Sequence, residues 1–125
     1  EPDFDAIAEL SAELDVTGIY AFTFDTLEHD STLHGRMFAP AVGVDEDPVT
    51  GTASGAVAAY LRNVGAFEGE LPTEMRFEQG HFLDRPGRVR VRADTDPIAI
   101  GGRAVPALEG TISVPDRGGD DIIEP

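Results

Sequence analysis

Cysteine, lysine and tryptophan are all missing from this chain. Without cysteine there is no disulfide, no thiolate metal site and no thiol nucleophile. Any catalysis must therefore draw on carboxylate, hydroxyl, imidazole or backbone groups. Without lysine, all nine basic residues are arginine, and they face 24 acidic ones for a formal net charge of -15. Such a surface repels nucleic acid and anionic membrane alike. Long apolar runs are also missing, and the N-terminus has no basic segment leading into an apolar one. A soluble cytoplasmic protein is the resulting expectation.

The acidic residues run from Glu1 to Glu124 without a long block. That spread fits a halophilic surface, on which dissolved ions screen self-repulsion, better than an acidic tail for cationic partners. A length of 125 residues suits one domain with one core.

Residues 3–14 place Phe4, Ile7, Leu10 and Leu14 at helical spacing, with Asp3 as the N-cap. The aromatic-rich segment 19–24 and the segment 32–38 read as strands, separated by an acidic turn at 25–30. Residues 39–48, with two prolines and Gly43, read as irregular. From Gly51 to Val64 apolar side chains cover most of a helix circumference, which predicts burial on most sides, with Gly65 as the C-terminal cap. Segments 74–78, 88–93, 98–100, 103–108 and 111–114 read as short antiparallel strands, with Gly101-Gly102 as a hairpin turn. The fold class is therefore α+β, antiparallel strands enclosing one apolar helix. A loose acidic tail covers residues 116–125, after a single domain at 1–115.

The segment Glu46-Asp47-Pro48-Val49-Thr50-Gly51-Thr52-Ala53 joins an acidic, proline-locked turn to the start of that apolar helix. A helix start leaves N–H groups unpaired and carries partial positive charge, so it favours an anion. Gly51 allows close approach, Thr50 or Thr52 adds a hydroxyl donor, and Asp47 sets a carboxylate beside the anion. The same residues also suit an ordinary N-cap, and spacing alone favours that plainer role. A buried helix opening on a cleft shields its N–H groups from water, which strengthens them toward an oxyanion.

Arg36-Met37-Phe38-Ala39-Pro40, then Gly43 through Ala53, Gln79-Gly80, Arg85-Pro86 and Gly101-Gly102-Arg103-Ala104-Val105 resemble the C-terminal lobe of the phenazine biosynthesis PhzF-like isomerase family. The opening helix followed by Gly18-Ile19-Tyr20 extends the resemblance over nearly the whole chain. It implies a diaminopimelate epimerase-like lobe, a curved antiparallel sheet or barrel wrapped around one central helix, here the one starting at Gly51. It also implies cofactor-free proton transfer on a small carboxylated substrate, in a cleft between two lobes. A Glu of the N-terminal lobe would move the proton. Asp47 would be this lobe's catalytic residue, the acidic partner that orients the substrate or its amino group, and Gly51, Thr52 and Ala53, with Thr50 beside them, would bind the substrate carboxylate. The family's usual Gly-Ser-Ala stands here as Gly51-Thr52-Ala53, and its usual Gly before Arg85 as Asp84.

His34 and His81 lack spacing partners and read as ordinary side chains. With His29 added, no metal-ligand spacing emerges, so no metal and no cofactor is expected. Arg36 and Arg85 suit internal ion pairs, and Glu46 suits solvent. The leading expectation is one lobe of a biosynthetic isomerase or epimerase, inactive without its N-terminal lobe. The alternative is an autonomous small-carboxylate-binding module that dimerises through its apolar rim.

Overall fold

The computed structural model describes residues 1–67 and 72–114, so the tail expected at 116–125 lies outside the described residues. The chain begins with α1 (Phe4–Glu13), whose N-cap Asp3 accepts the Ala6 N–H at 3.0 Å. Strands β1 (Ile19–Thr23) and β2 (Leu33–Ala39) follow. A short 3-10 turn at Pro40–Val42 leads into β3 (Val44–Asp47), then comes helix α2 (Gly51–Asn63). Beyond it lie β4 (Met75–Gln79), a second 3-10 turn at His81–Leu83, β5 (Gly87–Arg92) and β6 (Ala99–Gly101). Gly65, at φ +62°, turns the chain out of α2 as expected: its N–H reaches the Arg62 carbonyl and the Ala66 N–H the Leu61 carbonyl.

The strands form one six-stranded sheet in the order β1-β2-β4-β5-β6, with β3 paired to β2 off that path. Three expectations are corrected here. The sheet is curved but open, not a closed barrel. It is mixed rather than antiparallel, because β2 and β4 run parallel, with His34 opposite Glu78 and Gly35 opposite Gln79. Parallel neighbours need a long crossover, and the segment carrying α2 supplies it. The Gly101-Gly102 hairpin is absent as well. Residues 102–114 form neither helix nor strand, and Val105, Leu108 and Ile112 stay almost wholly exposed. Alternation alone makes no strand unless an edge takes up the backbone groups, and β6 offers an edge of only three residues.

One face of the sheet carries Leu33, Met75, Phe77, Val89 and Val91, packed against Val57, Ala58 and Leu61 of α2. The expected burial of α2 on most sides is narrower in fact: Ser54, Val57, Ala58 and Leu61 form the buried stripe, while Tyr60 and Val64 are exposed. Alanine explains the difference. It reads as apolar on every side of the helix, yet its small surface gives little drive to cover each side. A gain is found where irregular chain was expected, since β3 pairs with β2 across a register shift next to Ala39. Its backbone bonds bring the acidic turn to the sheet.

Candidate functional site

The turn between β3 and α2 is held from below by one side chain. Gln79 at the end of β4 is fully buried, and its Nε2 donates to the Asp47 carbonyl at 2.6 Å and to Thr50 Oγ1 at 3.0 Å. Its Oε1 accepts the Thr50 N–H at 3.3 Å. The next residue, Gly80, has φ +85° and passes so close to the Pro48 carbonyl that an added Cβ would sit 2.6 Å from that oxygen. Only glycine fits there, and the close passage locks turn and strand together. Sequence reasoning quoted Gln79-Gly80 without giving either a role. The signal available was a long amide beside a glycine at a strand end.

Thr50 occupies the N-cap position of α2 with extended dihedrals (φ -117°, ψ 101°), yet its side chain caps nothing. Its hydroxyl donates instead to the Asp47 carboxylate. The N–H groups of Gly51, Thr52 and Ala53 are those a helix leaves without an internal partner, and the residue placed to cap them is turned away. The Ser54 hydroxyl donates to the Thr50 carbonyl at 2.7 Å and fixes the first turn. Tyr20 reaches the same place across Gly35, and burial raises its phenol above the ordinary value. The structure thus brings Asp47, Thr50, Gly51, Thr52 and Ala53 into one turn and helix start, as expected. It also overrides the plainer reading of Thr50 as a cap.

Gly51 needs neither a positive φ nor a close backbone contact: an added Cβ would meet only Ile100 Cδ1, at 3.4 Å. Gly51 lines a cleft of about 1050 Å³ with Val49, Ile100, Arg88, Arg90 and Arg103, whereas Asp47 and Thr50 do not reach it. Arg88 is paired with Glu28 and Asp30. Arg90 and Arg103 make no ion pair among the described residues. Glu74 lines the same cleft, so its walls carry charge of both signs.

Arg36 and Glu46 are bound to each other, at 2.9 Å and 2.8 Å in a two-point contact. The Glu46 carboxylate holds the guanidinium above its ordinary pKa, and the same group lies over the rings of Phe38 and Phe82 at 4.8 Å and 4.5 Å. The pairing expected for Arg36 is present. Glu46, expected in solvent, is 5% exposed at its side chain because β3 sets it beside β2. Arg85 is exposed and makes no ion pair among the described residues.

Residues 1–110 match the family described as Phenazine biosynthesis-like protein. The chain belongs to that phenazine biosynthesis-like family. An uncharacterised isomerase of Clostridium acetobutylicum is 36% identical over 112 residues, which cover 84% of this chain and 37% of that protein. A crystal structure of a PhzF-family phenazine biosynthesis protein from Bacillus anthracis superposes with a TM-score of 0.60 at 30% identity, covering 80% of this chain and 35% of that one. A predicted epimerase from Pseudomonas aeruginosa gives 0.52 at 29% identity, covering 80% and 36%. The chain spans about a third of the length of each of these three relatives. Asp84 takes φ +53°, a left-handed conformation that glycine adopts at less cost.

Proposed function

We propose that this chain supplies one wall of the active site of a cofactor-independent, PhzF-like isomerase or epimerase acting on a small carboxylated substrate. The observation that carries this reading is the uncapped start of α2, with the Thr50 hydroxyl turned to Asp47 and Gln79 holding it there. In this reading α2 serves as the lobe's central helix. The N–H groups of Gly51, Thr52 and Ala53 receive the substrate carboxylate, where helix charge and fixed donors favour an anion. Asp47, itself oriented by Thr50, is the acidic catalytic partner of this wall and orients the substrate by accepting from its amino or hydroxyl group. The proton is moved by a Glu of the N-terminal lobe, which closes the cleft from the other side.

Deuterium uptake from heavy water at the carbon next to the carboxylate tests this, across a panel of small amino and hydroxy acids. The chain alone is expected to be silent. Joined to the preceding two thirds of the Clostridium relative, it is expected to exchange, and Asp47→Asn to slow that exchange by about 100-fold. Exchange by the chain alone as a monomer refutes the two-wall reading. Exchange by a dimer in light scattering assigns the second wall to another copy, joined through the exposed apolar side chains of α2. Tightening of the fold in molar salt, followed by thermal unfolding, tests the halophilic reading of the surface.

A further inference from the structure

The face of the sheet opposite α2 carries a group of residues that the proposed isomerase site does not use. Parallel pairing sets His34 of β2 directly across from Glu78 of β4, and His34 Nδ1 lies 2.8 Å from Glu78 Oε1. Glu78 is wholly buried, and its two oxygens also accept the N–H groups of Leu27 at 2.7 Å and Glu28 at 3.0 Å. A carboxylate that already takes two backbone N–H groups serves as acceptor here, so the contact is made with the proton on His34 Nδ1. In the neutral ring Nε2 then holds a lone pair.

His81, from the 3-10 turn after β4, repeats the arrangement. Its Nε2 lies 3.2 Å from Glu28 Oε1, and the two imidazole rings are 5.4 Å apart between centroids. His34 Nε2 and His81 Nδ1 are both buried and have no hydrogen-bond partner among the described residues, and the His34 side chain is only 8% exposed. Buried nitrogens rarely stay unpartnered. Two histidines, each with one nitrogen on a carboxylate and the other left with a lone pair, have the arrangement that orients imidazoles toward a metal.

We infer that His34 and His81, supported by Glu78 and Glu28, form a binding site for a divalent transition metal of the zinc class. Ligand atoms of His34, Glu78 and His81 all lie within 4.8 Å of one another. Two nitrogens on one zinc stand about 3.3 Å apart, given bonds of about 2.0 Å in tetrahedral geometry. His81 sits on a short turn with its ring centroid 5.4 Å from that of His34, a spacing compatible with two imidazoles on one such ion. His34 also lines a second cavity of about 430 Å³ with Asp25, Leu27, Arg36 and Phe82, which has room for water as a further ligand. Imidazole donors favour zinc, cobalt or nickel over magnesium or calcium.

Calorimetric titration of the untagged, chelator-stripped chain with Zn²⁺ tests this, in excess Mg²⁺ to occupy the acidic surface. Co²⁺ is added in parallel to read its visible absorption. Expected are one saturable equivalent and a shift of the His34 Nε2 and His81 Nδ1 resonances in imidazole nitrogen spectra. His81→Ala is expected to weaken the affinity by about 100-fold and Glu28→Gln by about 10-fold, with thermal unfolding of the metal-free forms unchanged. His34→Ala should abolish the site but risks the packing around Glu78, so His81→Ala decides. Absence of a discrete Zn²⁺ equivalent, or one that His81→Ala leaves intact, overturns the inference.

Discussion

The two helices of this chain begin with similar local chemistry and end up different. At α1, Asp3 takes an extended conformation and its carboxylate caps the Ala6 N–H. At α2, Thr50 takes an extended conformation too, but Gln79 and Asp47 hold its hydroxyl away from the helix. The first start is closed by its own cap. The second is kept open by a residue 29 positions further along the chain. Capping preference is a local property that a buried tertiary hydrogen bond overrides, and among the described residues no side chain caps α2.

The strongest way to break this contrast is to remove what enforces it. Gln79→Leu strips the Asp47 carbonyl and the Thr50 N–H of their partner inside a part-buried turn. A loss of roughly 2–4 kcal/mol in urea unfolding is expected. The freed Thr50 hydroxyl should then cap α2 as Asp3 caps α1, and small-carboxylate binding should fall with it. Unchanged stability would show that the turn stands without Gln79.

A paired substitution sharpens the contrast at smaller cost. Asp3→Ala should lower stability by about 1 kcal/mol, the usual effect of losing a cap. It should leave substrate proton exchange by the two-lobe fusion untouched. Thr50→Ala should do the reverse: little of a cap's stability is there to lose, but Asp47 loses its orienting donor and exchange slows. Equal stability losses with equal exchange would mean that the two starts are equivalent after all.

Much of this contrast was legible in the sequence, and the limits are physical. Asp3, the extent of α1, the start of α2 at Gly51 and the grouping of Asp47 with Gly51 and Thr52 follow from local signals that need no partner. What local signals cannot carry is pairing. The parallel register of β2 with β4 decides that His34 meets Glu78 and that Gln79 lies beneath Thr50, across 44 and 29 positions of chain. The same blindness made His34 and His81 look solitary, Glu46 look solvated, and residues 103–108 and 111–114 look like strands.

Gly51→Ala asks whether glycine at the open start serves fold or ligand. With no positive φ and only Ile100 Cδ1 nearby, the added methyl group is tolerated, and a gain of about 0.5 kcal/mol is expected from the stiffer unfolded chain. Carboxylate binding should weaken, because the methyl group stands where the anion approaches. A gain in stability with undiminished binding would remove Gly51 from the site.

The smallest expected effect separates the helix starts by pH. The Tyr20 hydroxyl is buried near Ser54 in the first turn of α2, but Ser54 already donates to the Thr50 carbonyl and the phenol has no well-directed hydrogen bond. Burial raises its folded pKa above the ordinary value of 10.0. Its contribution to stability is therefore complete below pH 10 and is lost as pH rises through the higher folded value. Alkaline titration should loosen α2 before α1, seen as broadening of the Ser54 and Val57 amide signals while those of Ile7 and Leu10 persist. Tyr20→Phe should remove the difference, because a phenyl ring does not ionise. If both helices loosen together in the native chain, the Tyr20 contact is not what ties the open start of α2 to the sheet.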